Sequence, residues 1–398
     1  MIKNVPALEQ MMRWYGPSDP VQLKHIAQAG CTGVVSALHD IPVGDVWKEE
    51  AIRKYKAQIE AENLTWTVVE SLPVHENIKS QSGAYQTYID NYKQSLKNLA
   101  QCGIKVVTYN FMPIFDWLRT DTAFKLANQS EALLFNKADY AVFDLYLLKR
   151  PNAEADYTQG ELEAYSSRFA NMTDQKKKDL FRNILLGLPG SDIPFTPNQV
   201  LKLLEQYQNI DRKQLKKHLN YFLQEITPTA EAAGIKMAIH PDDPPFSVLG
   251  LPRIMSTNQD IEDMMAAVPS SANGLCFCTG SFGARADNNL VDMIKQWGER
   301  VHFLHLRNTQ RDQEGNFMEA NHLDGDTDMY AIMNEVVRLM QREHRSIPMR
   351  PDHGHKMLDD LAKTTYPGYS AIGRLKGLAE LRGLEYGVTR TLAQAGEI

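Results

Sequence analysis

The sequence predicts a protein of the α/β class, a single (β/α)8 TIM barrel that takes in residues 1–398. Short apolar segments typical of strands alternate with amphipathic segments typical of helices, which favours a parallel sheet. Eight strand-like segments can be counted along the chain. The last four each end in a side chain that can bind a metal, and active sites of barrels form where strands end.

The first half of the predicted barrel contains four strands. The weak first strand, MRWYG, precedes a helix from Asp19 to Ala29, and the second strand is CTGVVSAL. A charged helix, WKEEAIRKYKAQIEAENL, leads to the third strand, TWTVVESL, whose alternating β-branched residues are typical of a strand. The helix YQTYIDNYKQSLKNLAQCG ends at Gly103 and is followed by the fourth strand, IKVVTYNF.

The alternation stops between about residues 113 and 197, where the chain is polar and dotted with aromatic residues. Segments such as DQKKKDLFRNILLGLPG predict that this insertion is helical. Because it interrupts the connection after the fourth strand, we expect it to cover the active face of the barrel as a lid. The alternative is a solvent-exposed surface segment.

The second half resumes with helices between Asn198 and Ala233, ended by Gly234. Its strands are IKMAIHP, GLCFCTG, VHFLHLRN and IPMRPDHG. A polar loop, TQRDQEGNFMEANHLDGDTD, is expected after the seventh strand. The remaining predicted helices run from Asp260 to Val268, from Asp287 to Trp297, through MYAIMNEVVRLMQREH, and from Gly373 to Leu392.

Composition excludes several classes of protein. A formal net charge of −6 without basic blocks disfavours a nucleic-acid partner. No apolar run approaches the roughly 20 residues of a membrane span, and the N-terminus lacks the features of a signal peptide. Four cysteines in 398 residues argue against a disulfide framework. We therefore predict a cytoplasmic enzyme, and the lack of G-x-G-x-x-G and Walker motifs disfavours a nucleotide cofactor.

The predicted metal ligands end four consecutive strands. Any one of them taken alone is as easily a structural residue, but four at the same height indicate one rim site. Mixed imidazole, thiolate and carboxylate donors suit Mn²⁺, Fe²⁺, Co²⁺ or Zn²⁺ better than Mg²⁺ or Ca²⁺. Cys278 is preferred to Cys276, and His305 to His302, because the preferred residues lie nearer the strand ends. The four ligands are His240, Cys278, His305 and Asp352.

Other polar residues near the strand ends are candidates for proton transfer and substrate binding. A histidine beside a metal ligand suits proton transfer, and a tyrosine can act as an acid. His355 and Tyr366 are as readily explained by packing. Arg307 and Asn308 can bind a carboxylate or hydroxyls, whereas Arg350 also suits a structural ion pair. Candidates for a polyol's hydroxyls, each with an equally good structural explanation, are His39, Asp40, Glu70, Asn110 and Asp242.

The motifs RWYG, AIHPDDPP, FCTGS, HLRN, RPDHG and PGY occur in this order across the whole chain. In this set the sequence resembles the mannonate dehydratase family of bacterial hexuronate breakdown. The resemblance implies a xylose-isomerase-like barrel, Mn²⁺ or a similar divalent ion such as Fe²⁺, and conversion of D-mannonate to 2-keto-3-deoxy-D-gluconate. It places the metal ligands on His240, Cys278, His305 and Asp352 and the catalytic pair on His353 and Tyr369, with Tyr366 as the alternative tyrosine.

The chemistry of the reaction suits these residues, with His353 as the base and Tyr369 as the acid, or the reverse. A homodimer or higher homo-oligomer is expected, since metabolic barrels often dimerise. Three other functions compete with this one. They are a metal-dependent sugar isomerase or epimerase, a metal-dependent phosphodiesterase acting at damaged DNA, and a non-enzymatic sensor of sugar acids.

Overall fold

A computed structural model describes residues 6–187 and 194–398 of the chain. Its centre is a closed barrel of eight parallel strands in the order β1-β2-β3-β4-β7-β8-β9-β12, which confirms the predicted fold class. The strands in chain order are β1 (Glu9–Arg13), β2 (Gly33–Ser36), β3 (Thr65–Val69), β4 (Val106–Tyr109), β5 (Asp121–Lys125), β6 (Glu131–Phe135), β7 (Lys236–Ile239), β8 (Asn273–Cys278), β9 (Val301–His305), β10 (Thr309–Arg311), β11 (Phe317–Glu319) and β12 (Pro348–Arg350).

The barrel strands are apolar because both of their sides are buried. Alternate residues point into the barrel and fill it with side chains, while the others pack against the surrounding helices. The inward-facing cluster is Met11, Val35, Val68, Val106, Ala238, Cys276 and Phe303. We call this cluster the barrel plug, and the strand ends above it form the floor of a site.

Helices surround the barrel and also build much of the insertion. Several begin at a threonine cap, as α10 does at Thr257, and α9 ends at Gly234 with φ +70°. Within the described ranges, no helix is both long and apolar enough to span a membrane. The helices are α1 (Leu23–Gln28), α2 (Glu49–Glu60), α3 (Glu76–Ser80), α4 (Tyr85–Gln101), α5 (Lys137–Val142), α6 (Gln159–Asn171), α7 (Asp174–Leu185), α8 (Pro197–Glu205), α9 (Arg212–Ala233), α10 (Asn258–Ala267), α11 (Thr279–Gly283), α12 (Leu290–Trp297), α13 (Met329–Arg342) and α14 (Ala371–Gln394).

The insertion after β4 contains a sheet as well as helices, which corrects the expectation of a helical lid. The hairpin β5–β6 pairs through β6 with β11, and the order of this antiparallel sheet is β10-β11-β6-β5. The hairpin β10–β11 lies in the segment after β9 that the sequence predicts as a loop. Its three-residue strands are too short for a periodic signal, and their pairing with β6 is long-range. The last three residues of the predicted DQKKKDLFRNILLGLPG segment, 188–190, lie outside the described residues.

Two glycines bring the loop after β12 against the start of α14. A Cβ at Gly373 would overlap the backbone oxygen of His355, and one at Gly354 would overlap the backbone of Gly373. The amide of Gly354 donates to the carbonyl of Gly368 at 2.9 Å. This close contact holds His353 and Tyr369 on facing segments of backbone.

Replacing Gly373 by Ala is expected to destabilise the protein by about 1–3 kcal/mol, because backbone atoms rather than flexible side chains stand in the way. The midpoint of thermal unfolding measures the effect. Gly383→Ala in the same helix is the control, since a Cβ there meets nothing within 4 Å and should stabilise the helix by up to about 1 kcal/mol. Equal unfolding midpoints for the two variants would contradict the close backbone contact.

Candidate active site

Three of the predicted metal ligands meet above the barrel plug. The candidate ligand atoms of His240, Cys278 and His305 all lie within 4.8 Å of one another. Cys278 and His305 are aligned by the pairing of β8 with β9, and His240 directly follows β7. Asp352 joins them, with its Oδ2 3.7 Å from Cys278 Sγ and 3.8 Å from His305 Nδ1. The structure therefore brings together all four predicted ligands.

The hydrogen bonds of the two histidines leave one nitrogen of each for the cluster. His240 Nδ1 donates to the carbonyl of Pro241 at 2.7 Å, so Nε2 carries the lone pair. His305 Nε2 lies 3.4 Å from Glu70 Oε1, which accepts a hydrogen bond from it, whereas its Nδ1 is buried and has no hydrogen-bond partner in the part of the chain described. An orphaned ring nitrogen beside a thiol and a carboxylate is what a bound cation would satisfy. The donor set fits a divalent transition metal.

Cys276 and His302, the alternatives to Cys278 and His305, lie outside the cluster of candidate ligands. Cys276 is buried inside the barrel, where desolvation raises the pKa of its thiol well above the usual value. His302 is buried near Gly274, and desolvation lowers the pKa of its imidazole to about 3. Neither belongs to the cluster of ligand atoms.

A network of buried ion pairs orients the ligands. Arg350 bonds to Glu70 through Nε at 2.8 Å and to Asp352 Oδ1 through Nη1 at 2.5 Å. Burial alone would raise the pKa of Asp352, but Arg350 and the neighbouring histidines hold it well below the usual value. Arg13 adds a second ion pair to Glu70 at 3.2 Å. Arg350 and Glu70 thus fix the ligands, which supports the structural explanation left open for both.

His353 and Tyr369 are hydrogen-bonded partners at the edge of the ligand cluster. His353 Nε2 lies 3.2 Å from the Tyr369 hydroxyl, and its Nδ1 lies 3.0 Å from Glu319 Oε1. Burial would raise the pKa of Glu319, but Arg307 and His353 lower it, so this carboxylate is ionised and accepts a hydrogen bond from the Nδ1–H of His353. In the neutral tautomer His353 Nε2 then accepts from Tyr369. Burial raises the pKa of Tyr369, which keeps its hydroxyl protonated.

The alternative residues beside this pair have other contacts. Tyr366 packs its ring edge against Tyr15, with ring centroids 5.1 Å apart. His355 Nε2 donates to the backbone carbonyl of Glu319 at 3.0 Å. Tyr369 makes the same edge contact with Tyr15, so it is the hydrogen bond to His353 that supports Tyr369 over Tyr366. The backbone bond of His355 supports a packing role for that residue.

The predicted substrate residues divide into two groups. Arg307 lines the central cavity, pairs with Asp243 at 3.0 Å, and has an Nη2 without a hydrogen-bond partner among the described residues. His39 lines a wider cavity of about 410 Å³ that also reaches Arg13. Desolvation lowers the pKa of His39 to about 3, so its ring is neutral. The two side chains therefore line two different cavities.

Asn308 and Asp242 form hydrogen bonds with nearby loop residues, and their contact with substrate stays a prediction. Asn308 donates to the carbonyls of His322 and Thr327 at 3.1 and 2.9 Å. Asp242 accepts from the amide of Met255 and the hydroxyl of Ser256, both at 2.7 Å. Each side chain shapes a loop. Their neighbours on the chain, Arg307 and Asp243, line the cavity instead.

Several residues of the site come from outside the barrel strands. Glu319 lies at the end of β11, and Arg119 donates to both oxygens of Asp243 at 2.6 and 2.9 Å. Trp117 lines the central cavity from the insertion. Glu319, Arg119 and Trp117 do not directly follow a barrel strand. A search restricted to strand ends could reach Asp243, but it had no signal for the other three.

A family model described as D-mannonate dehydratase (UxuA) matches residues 8–395. The chain belongs to the D-mannonate dehydratase family. Two family relatives described as mannonate dehydratases cover nearly all of it. One from Marinomonas sp. (strain MWYL1) is 50% identical over 393 residues, 97% of this chain and 100% of the relative. One from Saccharophagus degradans is 47% identical over 384 residues, 95% of this chain and 97% of the relative.

A solved structure of a mannonate dehydratase extends the comparison to the fold. The enzyme from Streptococcus suis serotype 2 has a TM-score of 0.76 and 34% identity, covering 98% of this chain and 95% of that one. Membership of the D-mannonate dehydratase family confirms the resemblance carried by the sequence motifs. It also confirms the predicted reaction class, a hydro-lyase, over the isomerase, phosphodiesterase and sensor alternatives.

Proposed function

We propose that this chain dehydrates D-mannonate to 2-keto-3-deoxy-D-gluconate with the help of one divalent transition metal, Mn²⁺ or alternatively Fe²⁺. The observation that carries the proposal is the convergence of two imidazoles, a thiol and a carboxylate beside a hydrogen-bonded histidine–tyrosine pair. Dehydration needs both parts, since a weakly acidic proton must leave C2 and a hydroxyl must leave C3. The pair supplies groups for the two proton transfers.

The residues that would hold the metal are His240, Cys278, His305 and Asp352. When bound, a divalent ion supplies Lewis-acid polarisation of a carboxylate or hydroxyl oxygen of the substrate. Glu70 and Arg350 keep the ligand side chains in place, and the carbonyl of Pro241 selects the tautomer of His240.

The proton transfers fall to His353 and Tyr369. His353 Nε2 takes the C2 proton, because the bond from Nδ1 to Glu319 leaves Nε2 as the basic nitrogen. The buried hydroxyl of Tyr369 is protonated and donates to the departing C3 oxygen. Arg307, with an unpartnered Nη2 among the described residues, binds the carboxylate of the substrate. Together these groups position the substrate and carry out both proton transfers.

Metal removal tests the proposal. Protein loaded with Mn²⁺ and incubated with D-mannonate is expected to form a 2-keto-3-deoxy acid, which periodate–thiobarbiturate detects. Treatment with a chelator should abolish product, and re-addition of Mn²⁺ or Fe²⁺ should restore it, because the divalent ion would supply the Lewis-acid polarisation of the substrate. Turnover that persists after complete metal removal would contradict the proposal.

Two further properties belong to the same proposal. The enzyme acts in the cytoplasm, as the absence of a disulfide framework suggests, and it assembles as a homodimer or higher homo-oligomer. Light scattering on the purified protein measures the mass of the assembly. A mass of one chain would exclude the oligomer.

A further inference from the structure

Trp117 brings a buried hydrogen-bond donor to the central cavity. Its side chain is 3% exposed and lines the cavity together with His240, Asp352, His353 and Tyr369. The indole Nε1 is buried and has no hydrogen-bond partner in the described part of the chain. A buried donor without an acceptor destabilises the folded protein. A substrate oxygen in the cavity would remove this cost.

The position of Trp117 is fixed by its surroundings. The Arg119 guanidinium lies 5.1 Å from the Trp117 ring centroid, and Arg119 itself is held by both oxygens of Asp243. The His353 ring meets the Trp117 ring edge-on, with centroids 6.3 Å apart. Trp117 is therefore a rigid wall of the site next to the proposed base.

Asp116 brings an acceptor to the same place. Its Oδ2 accepts from Asn110 Nδ2 at 3.0 Å. Its Oδ1 has no hydrogen-bond partner among the described residues and lies 3.7 Å from Lys79 Nζ, an ion-pair distance. Asp116 lines both the central cavity and the wider cavity that holds His39. It therefore stands where one space opens into the other.

We propose that Trp117 Nε1 and Asp116 Oδ1 bind hydroxyl groups on the unreactive end of the sugar acid, which extends into the wider cavity. This inference rests on the proposed function. An indole only donates and a carboxylate only accepts, whereas a hydroxyl does both, so a polyol chain can satisfy the two residues at once. The insertion thus serves as a specificity element for hydroxylated substrates as well as a cover.

Trp117→Phe tests the donor, since it removes the indole N–H and keeps an aromatic wall. We expect kcat/KM for D-mannonate to fall about ten- to a hundredfold, with most of the change in KM, because a substrate hydroxyl loses the indole donor. Trp66→Phe is the matched control. Trp66 also has a buried, unpartnered Nε1 within the described chain, but it lies in the core between the barrel and the surrounding helices, away from the cavity. Its kcat/KM should change less than about twofold.

Asp116→Asn tests the acceptor independently. The amide oxygen of the new side chain would face the donor Asn110, which puts an NH₂ group in place of Oδ1. A fall of about tenfold or more in kcat/KM is expected, together with weaker discrimination against shorter aldonic acids that lack the distal hydroxyls. Bound metal and unfolding temperature are measured for every variant, so that loss of the fold is recognised.

The outcomes separate this inference from the proposed function. If the wild-type protein forms no product from D-mannonate, the proposed function fails and this inference fails with it. If the wild type is active and both Trp117→Phe and Asp116→Asn match Trp66→Phe in kcat/KM, only the inference is overturned. A selective loss in either cavity variant, with metal content unchanged, supports the residue concerned.

Discussion

Replacing His353 by Asn lowers kcat for D-mannonate by an expected 10²- to 10⁴-fold, about the contribution of a positioned general base. An Asn side chain can keep a hydrogen bond to Glu319 or Tyr369, but it cannot take up a proton near neutral pH. Metal content should stay at the wild-type level, because the His353 ring bonds Glu319 and Tyr369 and is not one of the clustered ligand atoms. Steady-state kinetics and elemental analysis of the dialysed protein measure the two effects.

His355→Asn is the control for this prediction. His355 lies two residues further along the same loop, and its ring bonds the backbone carbonyl of Glu319. Its replacement should lower the unfolding temperature while kcat changes by much less than in His353→Asn. Turnover that survives in His353→Asn would show that another group takes the C2 proton. Loss of metal in that variant would instead make the residue a structural support of the ligands.

The barrel and the clustering of the candidate ligands were predictable because both follow from the periodicity of buried parallel strands. Such strands are apolar on both sides, so His240, Cys278 and His305 stand out as chemically unusual residues at the ends of apolar runs. The ends of consecutive barrel strands lie at one height, so these residues could be predicted to form one site. Family membership then confirmed the reaction class that the motifs implied.

The features that the sequence left open have a common physical origin. Position at a strand end fixes the height of a side chain but leaves its direction open. Asn308 and Asp242 have the right height, yet nearby backbone groups use their hydrogen-bonding atoms. The hairpin that carries Glu319 depends on pairing between β11 and β6, which are far apart in the chain. Sequence periodicity is a local property and could not reveal that contact.

The second large effect is expected on metal affinity, from the cysteine that ends β8. Cys278→Ala is expected to reduce metal affinity by more than the roughly 10- to 100-fold that loss of an outer hydrogen-bond partner costs, and activity should fall with it. Sγ lies 3.7 Å from Asp352 Oδ2 and accepts from the Ser281 amide at 3.4 Å, so an alanine removes the only sulfur among the clustered ligand atoms. Competition with a chromogenic chelator measures the affinity.

Cys276→Ala is the matched control, because it removes a thiol two residues earlier on the same strand. Cys276 is fully buried in the plug of the barrel, so its truncation should cost about 1 kcal/mol of stability and leave metal affinity unchanged. A Cys278→Ala protein that keeps wild-type affinity would remove the thiolate from the ligand set. If only Cys276→Ala lost metal affinity, the metal would lie deeper in the barrel, out of reach of His240 and Asp352. The contrast between two cysteines that share a strand and a face separates a ligand from a core residue.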